Sequence, residues 1–600
     1  RPMRPTRAIP LRLALSSLLL LILALSGCGG GSDGVSAESG QVIVGLTDAE
    51  DSYATYTVEV VSLRLERADG TLVETLPLQP RVDFAQYVEL TEFLTAATVP
   101  NGIYTRVHLT LDFTDSDIRI DVGDRIVPLD PLDTDGNALG IAEIAVRLAD
   151  DRPLRVRPGL PAHMTLDFDL QASNEADIDA GTVTVSPFVL ADVDPEEPKI
   201  HRVRGLLAAV DVDAGTLEVG IRPFHLRRGD FGRLQVSTDP DTVFEIDGVG
   251  YTGAAGLAEL AARPVGTATV ALGELVVPDR VFTATEIYAG SSVALGTTDV
   301  VTGSVVERSG EVLRVRGATL VRADGSFLFN DEIEISLGPD TLITRQLDPG
   351  NAVDASDLSV GQRIRAFGEL DDSGAMPRLD VGEGLVRLLL TRVAGTLTQS
   401  DAGLLVLELQ TINRRAVSLY DFGGTGSDPA AYRIEFDGLT PELLVPGAPV
   451  AAGGFPVAFG AAVSEDFEAV TVVDLQASPA VLAVDWEPAT DGAFAALEPD
   501  GVILSLDGVG DLHAVFRGGV ANDLLDLPSP PSLVPDASDR GLFAVFDDGS
   551  IALYTSFASF AEGLAADLGE ARLTDGLLAR GRWDDPTAVL ETRAIAVRLR

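Results

Sequence analysis

The sequence predicts an all-β, multi-domain protein: an N-terminal β-sandwich followed by about four small β-barrel-like repeats. Three observations predict it. Apolar and polar residues alternate with period two in segments closed by turn residues, as in "TYTVEVVSLRLERADG", which ends at Asp69-Gly70. A strand, polar glycine turn and second strand recur, starting at Gly205, Gly303 and Gly395. The chain has 600 residues, more than one hydrophobic core organises, so several domains of about 100–200 residues are expected.

The elements follow in order. Residues 1–27 have the parts of an export signal: a positive region with Arg1, Arg4, Arg7 and Arg12, then an apolar run from Leu13 to Leu25. Leu25, Ser26, Gly27 and Cys28 come next, and Cys28 is the chain's one cysteine. This quartet resembles the lipobox of bacterial lipoproteins. The resemblance implies that the Cys28 thiol receives a diacylglyceryl group and becomes the first residue after cleavage. A lone thiol in an oxidising envelope has no internal disulfide partner, so lipidation also gives it a use. An ordinary secretory signal with an incidental cysteine is the other reading. One acyl chain anchors only marginally, so two or three are needed for stable attachment. Residues 28–40, "CGGGSDGVSAESG", have the composition of a flexible tether. Gly29 after the cysteine implies the outer membrane, by the sorting rule of enteric bacteria.

Charge narrows the partners. With 91 acidic and 44 basic residues the net charge is -47, which disfavours phosphate backbones and excludes nucleic acid as an expected partner. The expected partners are the lipid bilayer, through acylated Cys28, and an unidentified envelope protein or glycan.

Residues 41–197 form the predicted sandwich. "VIVGLTDAEDSYATYTVEVVSLRLER", "VPNGIYTRVHLTLD", "LDFDLQAS" and "VTVSPFVLADV" resemble, in the same order, the blocks of the bacterial domain of unknown function 4382 family. That resemblance implies an all-β fold and no chemistry. Within it, "HLTLDF" at 108–113 and "HMTLDF" at 163–168 are nearly one hexapeptide. In extended backbone His108 and Asp112 share a face, as do His163, Asp167 and Asp169. Were the two strands neighbours, these five would form a divalent-metal site, with His suiting zinc and carboxylate suiting calcium or magnesium. The simpler reading is a solvated sheet face. In "LDPLDTDGNALG", Asp133, Asp135 and Asn137 around Gly136 look calcium-friendly. Yet an EF-hand register would put Pro131 and Ala142 where carboxylates belong, so an Asp/Gly turn is the better account.

The repeats are assigned to 200–292, 298–392, 393–479 and a divergent 480–600. "DTVFEIDG", "PDTLITRQL" and "LSVGQRIRAFGELDD" resemble the domain of unknown function 5666 family, small β-rich modules often in tandem. Short antiparallel strands with glycine turns fit a small closed barrel of the OB or SH3-like kind. Two motif matches are set aside. "GVGYTG" at 248–253 is a G-x-G-x-x-G, but Pro264 ends any helix after about two turns. "GGSDG" at 30–34 matches G-x-S-x-G without the strand and helix a nucleophile elbow needs.

Five histidines and an aromatic content of 6% leave little for catalysis or sugar stacking. The expectation is a lipid-anchored cell-envelope protein with a non-enzymatic binding, display or structural role, without cofactor. A calcium- or metal-dependent adhesion or carbohydrate-binding lipoprotein is the first alternative, an envelope hydrolase the second.

Overall fold

The computed structural model describes residues 39–47, 53–87, 90–122, 125–148, 153–187, 189–193, 199–223, 226–276, 281–294, 298–350, 353–401, 403–436, 444–457, 465–537, 541–547 and 550–600. The expected leader, lipobox and nearly all of the tether lie outside them. Strand makes up 62% of the structure, so the all-β expectation holds.

In the N-terminal unit the alternation of Tyr53–Arg67 and Gly102–Asp121 turns one side of each strand inward, and the two pair along most of their length. Strands Ile141–Arg147 and Leu154–Val156 extend their sheet. A second sheet faces it, in the order Val189–Asp192, Ala162–Phe168, Ser39–Thr47, Leu90–Pro100. Tyr56, Phe84, Phe113 and Phe168 pack edge to face between them, with Tyr56–Phe168 and Phe84–Phe168 centroids at 5.8 and 5.0 Å.

This second sheet does not end with the unit. Ile200, His201 and Arg202 pair in parallel with Leu90, Thr91 and Glu92, so the sheet runs on into the first barrel and the two share one core.

The first three barrels have one plan. In the first, the ring runs Ile200–Asp211, Thr216–Ile221, Arg233–Ser237, then in parallel to Val281–Ala289, back through Ala268–Val276 and closed on the opening strand. Numbered along the chain, that is first, second, third, fifth, fourth, first, the ring of an OB-type barrel. Asp299–Leu389 and Thr391–Asp474 repeat it, each closing with a parallel third-to-fifth pair. In the fourth unit, Pro479–Leu599, the first, fourth and fifth strands are Pro479–Thr490, Thr574–Asp584 and Val589–Leu599. Ser532–Pro535 and Leu542–Asp547 both lie parallel to the last of these, and among the described residues the ladder from second to third strand is open.

Helices Gly253–Ala261 and Phe557–Gly569 precede the fourth strand of the first and last barrels. The segment "GVGYTG" forms a hairpin strand, Val249–Thr252, rather than a phosphate loop. Its glycines serve packing: a Cβ at Gly248 would meet Leu342, and one at Gly250 would lie 2.5 Å from the Pro349 backbone of the next barrel.

Candidate functional site

The two similar hexapeptides are not neighbours. The strand holding His108 and Asp112 pairs with Tyr53–Arg67, Ile141–Arg147 and Leu154–Val156, while the strand holding His163 and Asp167 pairs with Ser39–Thr47 and Val189–Asp192, in the opposite sheet. The expected five-residue metal site is therefore split. Among the described residues no group of three or more His, Cys, Asp or Glu is arranged to hold a metal ion. The hexapeptides match because both facing sheets need the same inward Leu and Phe: Leu109, Leu111, Phe113, Leu166 and Phe168 are all buried.

The remaining side chains of these segments have other work. His108 Nε2 lies 2.6 Å from Glu66 Oε2, and Asp112 accepts the Thr114 N–H at 2.8 Å. His163 is buried because the first barrel covers the outer face of its strand. Its ring lies 5.6 Å from that of His201, which stacks on Phe93 at 5.1 Å. Burial pushes the His201 pKa down to about 4, keeping it neutral at physiological pH. Asp169, 1% exposed, pairs with Arg580 of the last barrel at 2.6 Å. In the turn, Asp133 Oδ1 accepts the N–H groups of Asp135 and Asn137 at 3.0 and 2.8 Å, and these contacts hold its carboxyl below the usual range. That carboxylate locks the turn, as the Asp/Gly account expects.

Buried ion pairs join the units. Glu92, wholly buried, takes Arg202 and Arg204 at 2.5 and 2.7 Å across the junction between sandwich and first barrel. Between first and second barrels, Glu245 Oε2 accepts Arg387 Nε at 2.9 Å, and Ser292 Oγ donates to Glu245 Oε1 at 2.7 Å. The Arg387 guanidinium also lies 4.0 Å from the Tyr288 ring centroid. Burial alone would raise the Glu245 pKa, but the charge and hydrogen bonds of Arg387, with those of Ser292 and Thr344, hold it below its ordinary value.

The candidate binding site is a cleft of about 510 Å³ where the sandwich and the second, third and fourth units converge. The second barrel supplies Arg316 and Arg363, the third Arg414 and Arg415, the sandwich Gln86 and Asp121, and the fourth its backbone at Gly519. Arg415 donates to the Arg316 carbonyl at 2.9 Å and lies 3.6 Å from Asp121. Gly317, at φ +61°, leaves room for it: a Cβ there would come within 2.0 Å of the Arg415 guanidinium. Asn413 and Arg414 form the turn at φ 50° and 67°, and Asn413 fixes it by donating to Ser304 at 2.9 Å and accepting the Arg392 N–H at 2.9 Å. Sequence reasoning missed these residues. The one local signal was the hairpin "TINRRAV", where an arginine takes a left-handed position that Gly or Asn normally occupies.

Residues 39–187 match the family model described as Domain of unknown function (DUF4382). The match coincides with the two-sheet sandwich, and the barrels lie beyond it. No curated protein matches the chain. The matched unit contributes one wall of the cleft, which includes part of the short turn Phe84–Gln86.

Asp83 fixes that turn. Its Oδ1 accepts the Tyr56 N–H at 2.7 Å and its Oδ2 the Gln86 amide at 3.0 Å. Burial raises its pKa to about 6 despite these bonds. The folded state therefore holds the Asp83 proton more tightly than the unfolded chain, so ionisation opposes folding at neutral pH and the cost disappears below the ordinary carboxylate range. Asp83→Asn keeps an acceptor for Tyr56 without the charge. It is expected to gain about 2–3 kcal/mol at pH 8, with the gain closing as pH falls below the ordinary carboxylate range, by about pH 3. Melting temperatures across that range check it, and a pH-independent difference would contradict it.

Proposed function

We propose that the protein is a lipoprotein of the bacterial cell envelope, most simply of the outer membrane, anchored through acylated Cys28 and carrying a non-enzymatic binding body. In this reading a DUF4382 unit is followed by four modules of the domain of unknown function 5666 type. The body's organisation is the observation that carries the binding role. Ion pairs built on the wholly buried Glu92 and Glu245 fasten the sandwich to the first barrel and the first barrel to the second. Such pairs fix relative orientation more than they add stability. Fixed orientation is what a cleft assembled from four units requires. The tether composition of residues 28–40 and the acidic surface are consistent with a body held off an anionic membrane.

The anchor is tested with the full chain expressed in a Gram-negative host fed an alkyne fatty acid. The wild type should take up the label and enter the detergent phase on phase separation. Cys28→Ala should lose the label and remain with its leader uncleaved. An unlabelled wild type, or a labelled variant, refutes the reading.

A further inference from the structure

We propose that His163 and His201 make the joint between the sandwich and the first barrel acid-sensitive: a protonated imidazole cannot stay in that joint, so the sheet running through it opens. The inference concerns the body alone and holds whether or not Cys28 is acylated. The size of the joint is its first ground. The sheet passes from sandwich to barrel through three residue pairs, Leu90 with Ile200, Thr91 with His201 and Glu92 with Arg202. His201 is in the middle pair, so displacing it breaks the ladder at its centre. Leu90 also lines the cleft, and opening the joint therefore releases part of the cleft wall.

The packing around the two rings is the second ground. His163 and His201 are only 2% and 1% exposed. Phe93 packs against both, its ring centroid 5.1 Å from that of His201 and 6.4 Å from that of His163, and it meets Phe282 at 5.4 Å. Ile43 stands opposite His163 in the ladder, and Thr91 and Gly273 flank His201. A neutral imidazole suits these surroundings. A charged one loses its water there, and two charged ones 5.6 Å apart repel. The charged groups nearby have other work. Lys199 donates to Thr47 at 2.8 Å. Glu92, on the other face of its strand, takes Arg202 and Arg204. Glu274, next to Gly273, is exposed. Asp167 is four residues along the strand from His163, ~13 Å away, and Asp192 pairs with Thr165 between them. The His201 pKa is set by burial, opposed by a backbone hydrogen bond to Lys199, and no carboxylate among the described residues adds to them.

The sign with pH follows from the lowered His201 value. The open form takes the proton first, so the joint is intact above the ordinary histidine range and weakens as pH falls from there toward 4. The test is hydrogen exchange on the full-length protein in nonionic detergent at pH 7.5 and pH 5.0, read as protection after correction for intrinsic rates. A local readout is needed because Asp83 strengthens the fold in acid and would mask the joint in a melting curve. Opening of Leu90–Glu92 and Ile200–Arg202 should rise about thirtyfold between the two conditions, by linkage to His201 alone. Val243–Ile246, at the next junction, should keep its protection. His201→Phe preserves a ring on Phe93 and should lose most of the acid response, and adding His163→Gln should remove the rest. A wild-type joint equally protected at both pH values would overturn the proposal without recourse to any variant. So would equal loss at Val243–Ile246, or a full response in the double variant.

Discussion

Arg387→Met is expected to destabilise the junction of the first two barrels by about 3–5 kcal/mol, because it strands Glu245 as a buried charge without its partner. Neither side chain of the pair is exposed to solvent. Met fills much of the volume over the Tyr288 ring and makes no bond to the carboxylate, so the loss is chiefly electrostatic. The sign with pH follows. In the wild type the Glu245 pKa is held down, so its contribution is present above the ordinary glutamate range and is lost as pH falls through the lowered value. In the variant only burial acts strongly, raising that pKa, and the variant weakens as pH rises. The gap between the two proteins should therefore widen from pH 4 to pH 8.

Hydrogen exchange in Val243–Ile246 and Arg378–Leu389 measures this locally, which suits a chain of several units that need not unfold in one step. Faster exchange in both strands is expected. Glu245→Gln in the Arg387→Met background should restore most of the protection, since it removes the stranded charge. Protection equal to wild type, or a loss indifferent to pH, would show that the pair does not hold the junction.

The fold class was legible because it rests on local features. Period-two alternation within one strand, as in Tyr53–Arg67, says which side faces a core without naming the opposing sheet. For that reason His108 and His163 could be given their faces but not their neighbours. Partnership was decided by pairings remote in sequence, Val42 with Ala162 and Leu63 with Leu109. The continuation of the sandwich sheet into the first barrel was hidden likewise, since nothing near Ile200 announces a parallel partner at Leu90. The cleft is the extreme case. Asp121, Arg316, Arg363 and Arg415 come together only when three units are oriented by their junctions, and each alone reads as a surface charge. The leader and Cys28 were the opposite: their signal is a linear motif read by processing enzymes, independent of the fold.

A second set of glycines recurs through the four units, and its structural cause carries the other large effect. Gly273, Gly368, Gly454 and Gly581 occupy the same place in the four units, on the fourth strand where its register with the fifth shifts. A Cβ at each would lie 2.0, 2.2, 2.0 and 1.9 Å from a carbonyl oxygen of that fifth strand. The obstacle is backbone held in a ladder, so it cannot swing away as a side chain would. Strands at such a bend come closer than any Cβ allows, and glycine there lets a short sheet curl into a barrel.

Gly581→Ala is therefore expected to cost about 3 kcal/mol, the upper end of overpacking in a formed core. The last barrel is the convenient one to test, since it holds the chain's two tryptophans, Trp486 and Trp583, both essentially buried. Their fluorescence reports this unit's unfolding. The urea midpoint should fall by roughly 1 M or more, taking about 1–3 kcal/mol per molar for the slope. Gly569→Ala, at the end of helix Phe557–Gly569 with open space around its Cβ, is the control. It should leave the midpoint unchanged or slightly raised, as alanine favours helix over glycine. If both variants unfold alike, the register shift tolerates a methyl group. The repeating glycine would then mark common descent of the barrels rather than a steric requirement for closing them.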